Sequence, residues 1–215
     1  MDLLERLRGD DPDEPVTGID VSRYQGTVDW KQVQGSGVRF AAIKATEGAA
    51  DYPYSDYYTQ NAELARQAGL AVGGYHFFNP NADGKTQANY FLQVVQPKPG
   101  DLLPMLDLEQ TGSASGAQIA DGAQAWLETV RAATGRKPLL YTTAGFWSQI
   151  GSPAGFDNYP LWVAEYGVNQ PHLPQGWSNY TIWQHSQSGK VAGIEGPVDL
   201  DLFSGAPEAL KSIRL

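Results

Sequence analysis

The 215-residue chain contains no cysteine, which removes disulfide staples, thiolate metal sites and thiol nucleophiles together. No apolar run approaches the ~18 residues of a membrane-spanning helix, so the sequence offers no transmembrane segment. Basic residues are few: 15 Lys and Arg stand against 24 Asp and Glu, for a formal charge of -9. That sign opposes phosphate backbones and anionic lipid, and the expected partners include neither nucleic acid nor membrane. His76, His172 and His185 sit at no zinc spacing, the loop of a calcium hand is missing, and no G-x-S-x-G marks a serine nucleophile. Neither a metal nor another cofactor is expected.

Residues 1–15, MDLLERLRGDDPDEP, place Leu3, Leu4 and Leu7 among charges and lack the apolar stretch of a secretory signal. Asp10, Asp11, Asp13 and Glu14, broken by Pro12 and Pro15, read as a solvated tail or linker. The expected division is an acidic tail over 1–16 and one catalytic domain over 17–215.

From Thr17 onward, short β-branched or aromatic runs recur between Gly, Pro and Asp punctuation. They are TGIDVS, VRFAAIKA, LAVGGYHFF, LLPMLDLE, KPLLYTT, PLWVAEY, YTIWQHS and PVDLDLF. Helical spacing lies between the earlier runs: Ser55 to Ala68 ends at Gly69, Lys85 to Val95 is stopped by Pro97, and Ser115 to Thr134 is closed by Gly135. A shorter helix fits Thr143 to Ile150. Alternating strands and helices imply β/α units and a parallel sheet, and eight strands suggest closure. The later strands begin at 160, 180 and 197, too close together for full helices. The fold class is therefore α/β, a shortened, irregular TIM-like (β/α) barrel with helices mainly after the first five strands.

The apolar run LLPMLDLE ends in Asp107 and Glu109, which a strand puts on one face with Cα atoms ~6.5–7 Å apart. Leu106 and Leu108 point the other way. Two shielded like charges repel, and one is driven toward protonation, which is what general acid catalysis needs. Asp20 in GIDVS and Asp199 with Asp201 in VDLDLF repeat the pattern on the first and eighth strands. In a closed barrel these acids converge on the C-terminal mouth. Aromatic rings are plentiful, with 6 Trp, 11 Tyr and 7 Phe. Rings beside acids suit a sugar, whose C–H face stacks while its hydroxyls bond to polar tips. Tyr75, Tyr141 and Trp162 are the candidate sugar contacts, with Gln184 and Asp201 as polar partners.

In order, GIDVSRYQG at Gly18 to Gly26, FAAIKATEG at Phe40 to Gly48, GGYHFF at Gly73 to Phe78, MLDLE at Met105 to Glu109, LLYT at Leu139 to Thr142, LWVAEY at Leu161 to Tyr166, IWQHS at Ile182 to Ser186 and VDLDLF at Val198 to Phe203 resemble glycoside hydrolase family 25, the N-acetylmuramidases or lysozymes of bacterial and phage type. The resemblance spans about residues 17 to 204. It implies cleavage of the β-1,4 bond between N-acetylmuramic acid and N-acetylglucosamine in peptidoglycan by a monomer acting at the bacterial cell wall. It assigns Glu109 as general acid and later base, Asp107 as its partner, and Asp20 and Asp199 as the other two acids of the site. The family's closing D-x-N motif is here D-x-D, which places Asp201 where an amide is usual. A same-strand D-x-E also resembles the chitinase and hexosaminidase pattern, which favours substrate-assisted retention over the alternative in which Asp107 or another acid activates or supplies the nucleophile directly. A chitinase or glucosaminidase on the same barrel, or an inactive wall-binding module, are the competing readings.

Bacterial walls are themselves anionic, so a chain of this charge gains nothing from long-range attraction. Wall lysis followed by turbidity is expected to hold level or rise modestly as salt is added and repulsion is screened; a steep fall would show that a cationic surface drives binding.

Overall fold

The structure, a computed structural model, describes residues 15–50 and 55–215. Most of the acidic stretch, residues 1–14, lies outside the described residues. The strands are β1 (Val16–Val21), β2 (Phe40–Glu47), β3 (Ala71–Phe77), β4 (Met105–Asp107), β5 (Leu139–Thr142), β6 (Leu161–Ala164), β7 (Ile182–Gly189) and β8 (Val198–Phe203). They pair in chain order and close as a barrel, with β8 returning to β1. The first strand starts at Val16, one residue before the expected boundary, and Val16 is buried.

One expectation is corrected. The strands β1 to β7 are parallel neighbours, but β8 runs antiparallel to both β7 and β1. The cause is the length of the link. Residues 190–197 join β7 to β8, fewer than the dozen or more that a parallel crossover requires, so the chain can only turn back as a hairpin. The eighth strand therefore enters at the mouth and leaves at the base. Asp199 lies near the mouth because it is second in a descending strand, and Asp201 lies deeper.

Helices α1 (Trp30–Gly35), α2 (Ser55–Gln67), α3 (Gly84–Val95), α4 (Gly116–Thr134) and α5 (Ala144–Gln149) follow the first five strands in turn. The long α4 begins where Ser115 and Gln118 form a reciprocal cap and ends at Gly135 in the left-handed region. Its buried stripe is the one its spacing implies: Ile119, Ala123, Trp126, Leu127 and Val130. The six-residue α1 has too little periodicity to be found from sequence; Asp29 starts it by accepting from Lys31 N and Gln32 N.

Alternation along the strands sorts the core into two shells. Ile19, Ala41, Ile43, Leu106, Leu108 and Leu140 face the helices, while Phe40, Ala42, Met105, Leu139, Tyr141 and Trp162 fill the barrel interior. Leu210 and Ile213 of a terminal 3-10 segment (Pro207–Ile213), with Leu215 just past it, close the base. Two glycines permit close packing. A Cβ on Gly18 would fall within the Phe40 ring, and one on Gly84 would fall on the Gly122 carbonyl, so α3 and α4 meet backbone to backbone.

Gly18→Ala is accordingly expected to cost about 1–3 kcal/mol through overpacking. That corresponds to a thermal midpoint lowered by roughly 2–10 °C for a chain of this size. The loss should be partly recovered in the double variant with Phe40→Leu; a single variant as stable as the parent would show that the ring has room to move.

Candidate active site

Barrel register brings the acids together from three sides. Asp20 pairs across from Asp199 on the β1–β8 ladder, and Asp107 stands level with Phe77 and Tyr141 on β3 and β5. A cavity of about 270 Å³ opens at this mouth. Asp20, Asp107, Glu109, Asp199, Tyr75, Tyr141, Trp162 and Gln184 all line it, as do Ser22, Tyr24, Lys44, Phe77, Tyr166 and Gln187.

The D-x-E pair is not wholly on a strand. β4 ends at Asp107, and Glu109 lies past it, although Leu108 N still donates to Tyr141 O and prolongs the extended backbone by a step. Asp107 is buried, and Glu109 is open to solvent. Among the described residues, Asp107 Oδ1 has no hydrogen-bond partner. Burial raises the Asp107 carboxyl well above its usual range, and Glu109 raises it further, while the Lys44 ammonium opposes both. Shielding of the Glu109 carboxyl by the cleft walls raises it too, again against Lys44 and with Asp199 adding repulsion. The loop carrying Glu109 is pinned: Asn81 Oδ1 accepts from Ser113 N at 3.1 Å and from Ser113 Oγ at 2.8 Å.

Lys44 escaped the sequence reading, which had no reason to single out one lysine on an apolar strand. Plain alternation puts Lys44 on the interior side of β2 with Phe40 and Ala42, and a bulge between Lys44 and Thr46 places its partner. Residues three apart on a regular strand face opposite sides, but the extra residue returns Glu47 to the side of Lys44. Lys44 Nζ lies 2.7 Å from Glu47 Oε2 and 4.3 Å from the centre of the Phe77 ring. A cation is thereby held on the cavity wall, where it limits the upward shift of the two acids.

The opposite wall is a hydrogen-bonded network. Gln184 Oε1 accepts from Tyr141 Oη at 3.0 Å and from Tyr166 Oη at 2.6 Å, and Gln184 Nε2 donates to Asp20 Oδ2 at 2.6 Å. Burial raises Asp20 strongly, reinforced by Asp201 and Asp199, and burial raises Asp199 too, with Asp20 working against that rise. Tyr141 packs edge-on against Trp162 at 4.8 Å, and Tyr75 does so at 6.2 Å.

Asp201 departs from the expectation of a substrate contact. It is fully buried below the cavity, where Oδ1 accepts from Trp162 Nε1 at 2.8 Å. The antiparallel course of β8 puts it one layer beneath Asp199, so it orients a ring that lines the cavity and does not line the cavity itself. Burial pushes its carboxyl up to about 8. His76 is a satisfied core residue on the helix side of β3, between Thr46 Oγ1 at 2.7 Å and Gln87 Oε1 at 2.9 Å. Tyr24, Phe77 and Tyr166, each beyond or at the end of a strand, join the cavity although only the three strand rings were singled out from sequence.

Paired acids of raised pKa beside aromatic rings, at the rim of a β/α barrel, are the equipment of a glycoside hydrolase. The comparisons narrow the class. Residues 19–194 match the model of glycosyl hydrolases family 25, and the chain belongs to that family. It is 37% identical to lysozyme M1 of Streptomyces globisporus, over 97% of this chain and 74% of that one. It is 36% identical to the N,O-diacetylmuramidase of Chalaropsis sp, over 86% of this chain and 96% of that one. Among solved structures, the bacterial lysozyme of Streptomyces coelicolor superposes with a TM-score of 0.85 at 36% identity, covering 94% of this chain and 98% of that one.

A pH dependence of stability follows from Asp201. His76, lowered by burial to about 4 from an ordinary 6.5, is neutral above pH 6.5 whether folded or unfolded. In the window from there to about 8, the folded chain keeps the Asp201 proton and the unfolded chain has lost it, so the stability that Asp201 contributes falls as pH rises and stops changing above about 8. Asp201→Asn keeps the acceptor for Trp162 and should make that decline shallower, raising the thermal midpoint at pH 8 by several degrees in circular dichroism. An unchanged slope would place the titrating proton elsewhere.

Proposed function

We propose that the protein is a peptidoglycan N-acetylmuramidase that acts at the bacterial cell wall and cuts the β-1,4 bond after N-acetylmuramic acid, with Glu109 as the proton donor. The observation that carries the reading is the asymmetry of the D-x-E pair: Glu109 is open to solvent at the cavity, whereas Asp107 is buried with Oδ1 unpartnered. The names of lysozyme M1 and of the N,O-diacetylmuramidase support the same substrate.

A carboxyl whose pKa is raised remains a donor under mildly acidic to neutral conditions. Glu109 gives its proton to the glycosidic oxygen as the bond to the anomeric carbon breaks, and the leaving sugar departs with a free 4-hydroxyl. The 2-acetamido oxygen of the muramic acid attacks that carbon, forming a cyclic oxazolinium. Its N–H gains positive character and donates to Asp107, whose buried oxygen otherwise lacks a partner. Glu109, now a carboxylate, takes a proton from water as the water opens the ring from the face the leaving group vacated, so configuration is retained. Lys44 serves both steps electrostatically: it keeps Asp107 able to accept and stops Glu109 from holding its proton too firmly. Asp20, Asp199 and Gln184 remain on the opposite wall to hold sugar hydroxyls, and Tyr75, Tyr141 and Trp162 shape the floor.

Digestion of purified cell wall followed by borohydride labelling should yield new reducing ends that are muramic acid, with the β anomer formed first by NMR. Glu109→Gln should lower the rate by about 10²–10⁴-fold with an unchanged unfolding transition. Reducing ends that are glucosamine, or chitin oligosaccharides cut faster than wall, would move the assignment to a glucosaminidase or a chitinase. An inverted first product would exclude the acetamido mechanism.

A further inference from the structure

A cavity of about 270 Å³ is below the ~300–1,000 Å³ that encloses a drug-sized ligand, and it has room for one sugar ring. A glycan strand held there must continue over the rim. Only three large hydrophobic side chains are exposed among the described residues: Tyr24 at 76%, Leu64 at 41% and Tyr166 at 39%. Both tyrosines border the cavity. Tyr166 is tied inward by its bond to Gln184. Tyr24 has no such tie to the inner wall among its described bonds: its hydroxyl accepts from the neighbouring Arg23 Nη2 at 3.1 Å.

Tyr24 is nevertheless rigidly carried. It sits in the 3-10 turn Arg23–Gln25, where Ser22 and Gln25 form a reciprocal cap, and Gly26 ends the turn in the left-handed region at φ 61°. Gln25 Nε2 reaches Pro197 O at 3.3 Å, which fastens the turn to the β7–β8 hairpin. The Arg23 guanidinium covers one side of the ring, 4.6 Å from its centre. What is left is an aromatic face on a fixed mount, beside a site that accommodates one sugar of a polymer.

Resting on the activity proposed above, we infer that Tyr24 is a stacking platform for a further N-acetylhexosamine of the glycan strand, outside the cavity, with Arg23 bracing the ring from behind. The apolar C–H face of a pyranose matches an exposed ring, and a ring held in advance loses little freedom on binding. Leu64, on α2, provides the control: it is exposed and apolar but does not line the cavity.

The test uses the full chain carrying Glu109→Gln, titrated by NMR with chitobiose and with chitopentaose. The longer chain should bind more tightly, and adding Tyr24→Ala should reduce its affinity roughly 5- to 10-fold more than that of the disaccharide. Tyr24→Trp should restore the preference for length, and Leu64→Ser should leave it as it was. An unchanged ratio in a folded Tyr24→Ala variant, or no gain in affinity with length in the parent, would overturn the inference. Failure of the underlying reading is seen separately, as an absence of muramic acid reducing ends when the chain with native Glu109 is given cell wall.

Discussion

The short link between the last two strands constrains everything above it. With residues 190–197 alone to spend, the chain cannot cross over to add β8 in parallel, so the barrel closes with one strand reversed. That reversal sets Asp199 beside Asp20 at the mouth and sends Asp201 down into the interior. A regular β/α barrel builds its site mainly from the loops above the strands. Here part of the wall is the strand ladder itself, and the spacing of its acids is fixed by backbone pairing.

Collecting carboxyls in a shielded place opposes folding, and the structure answers in three ways. Burial holds Asp20 and Asp199 toward their neutral forms, Asp20 the more strongly. Lys44, on the interior side of β2, offsets the D-x-E pair at the end of β4. Asp201 gives up its charge through much of the neutral range and serves as an acceptor for the Trp162 indole. The net charge of -9 therefore overstates the charge present at the mouth, since several of the acids counted in it are held toward the neutral form.

Much of this was legible in the chain. Strand number, the place of four helices and the convergence of Asp20, Asp107, Glu109 and Asp199 follow from periodicity and from acids closing apolar runs. The direction of β8 did not, because PVDLDLF alternates identically whichever way it runs. The depth of Asp201 was lost with it. The pairing of Lys44 with Glu47 was hidden for a related reason: a bulge shifts which residues share a face, and nothing in IKATE distinguishes a bulged strand from a regular one. Tyr24, Phe77 and Tyr166 lie at or beyond strand ends, where alternation stops carrying information and backbone turns decide which way a ring points.

The backbone contact between Gly84 and Gly122 has a mechanical consequence. Two helices seated carbonyl against α-carbon cannot slide or roll without collision, so the β3–α3 and β4–α4 units move as one piece. The segment bearing Glu109 spans those units and is clamped to the first of them through Asn81 and Ser113. That clamp opposes movement of Glu109 relative to the barrel. A glycan strand entering the cleft meets a preset pair of carboxyls, and the work of alignment falls on the polymer.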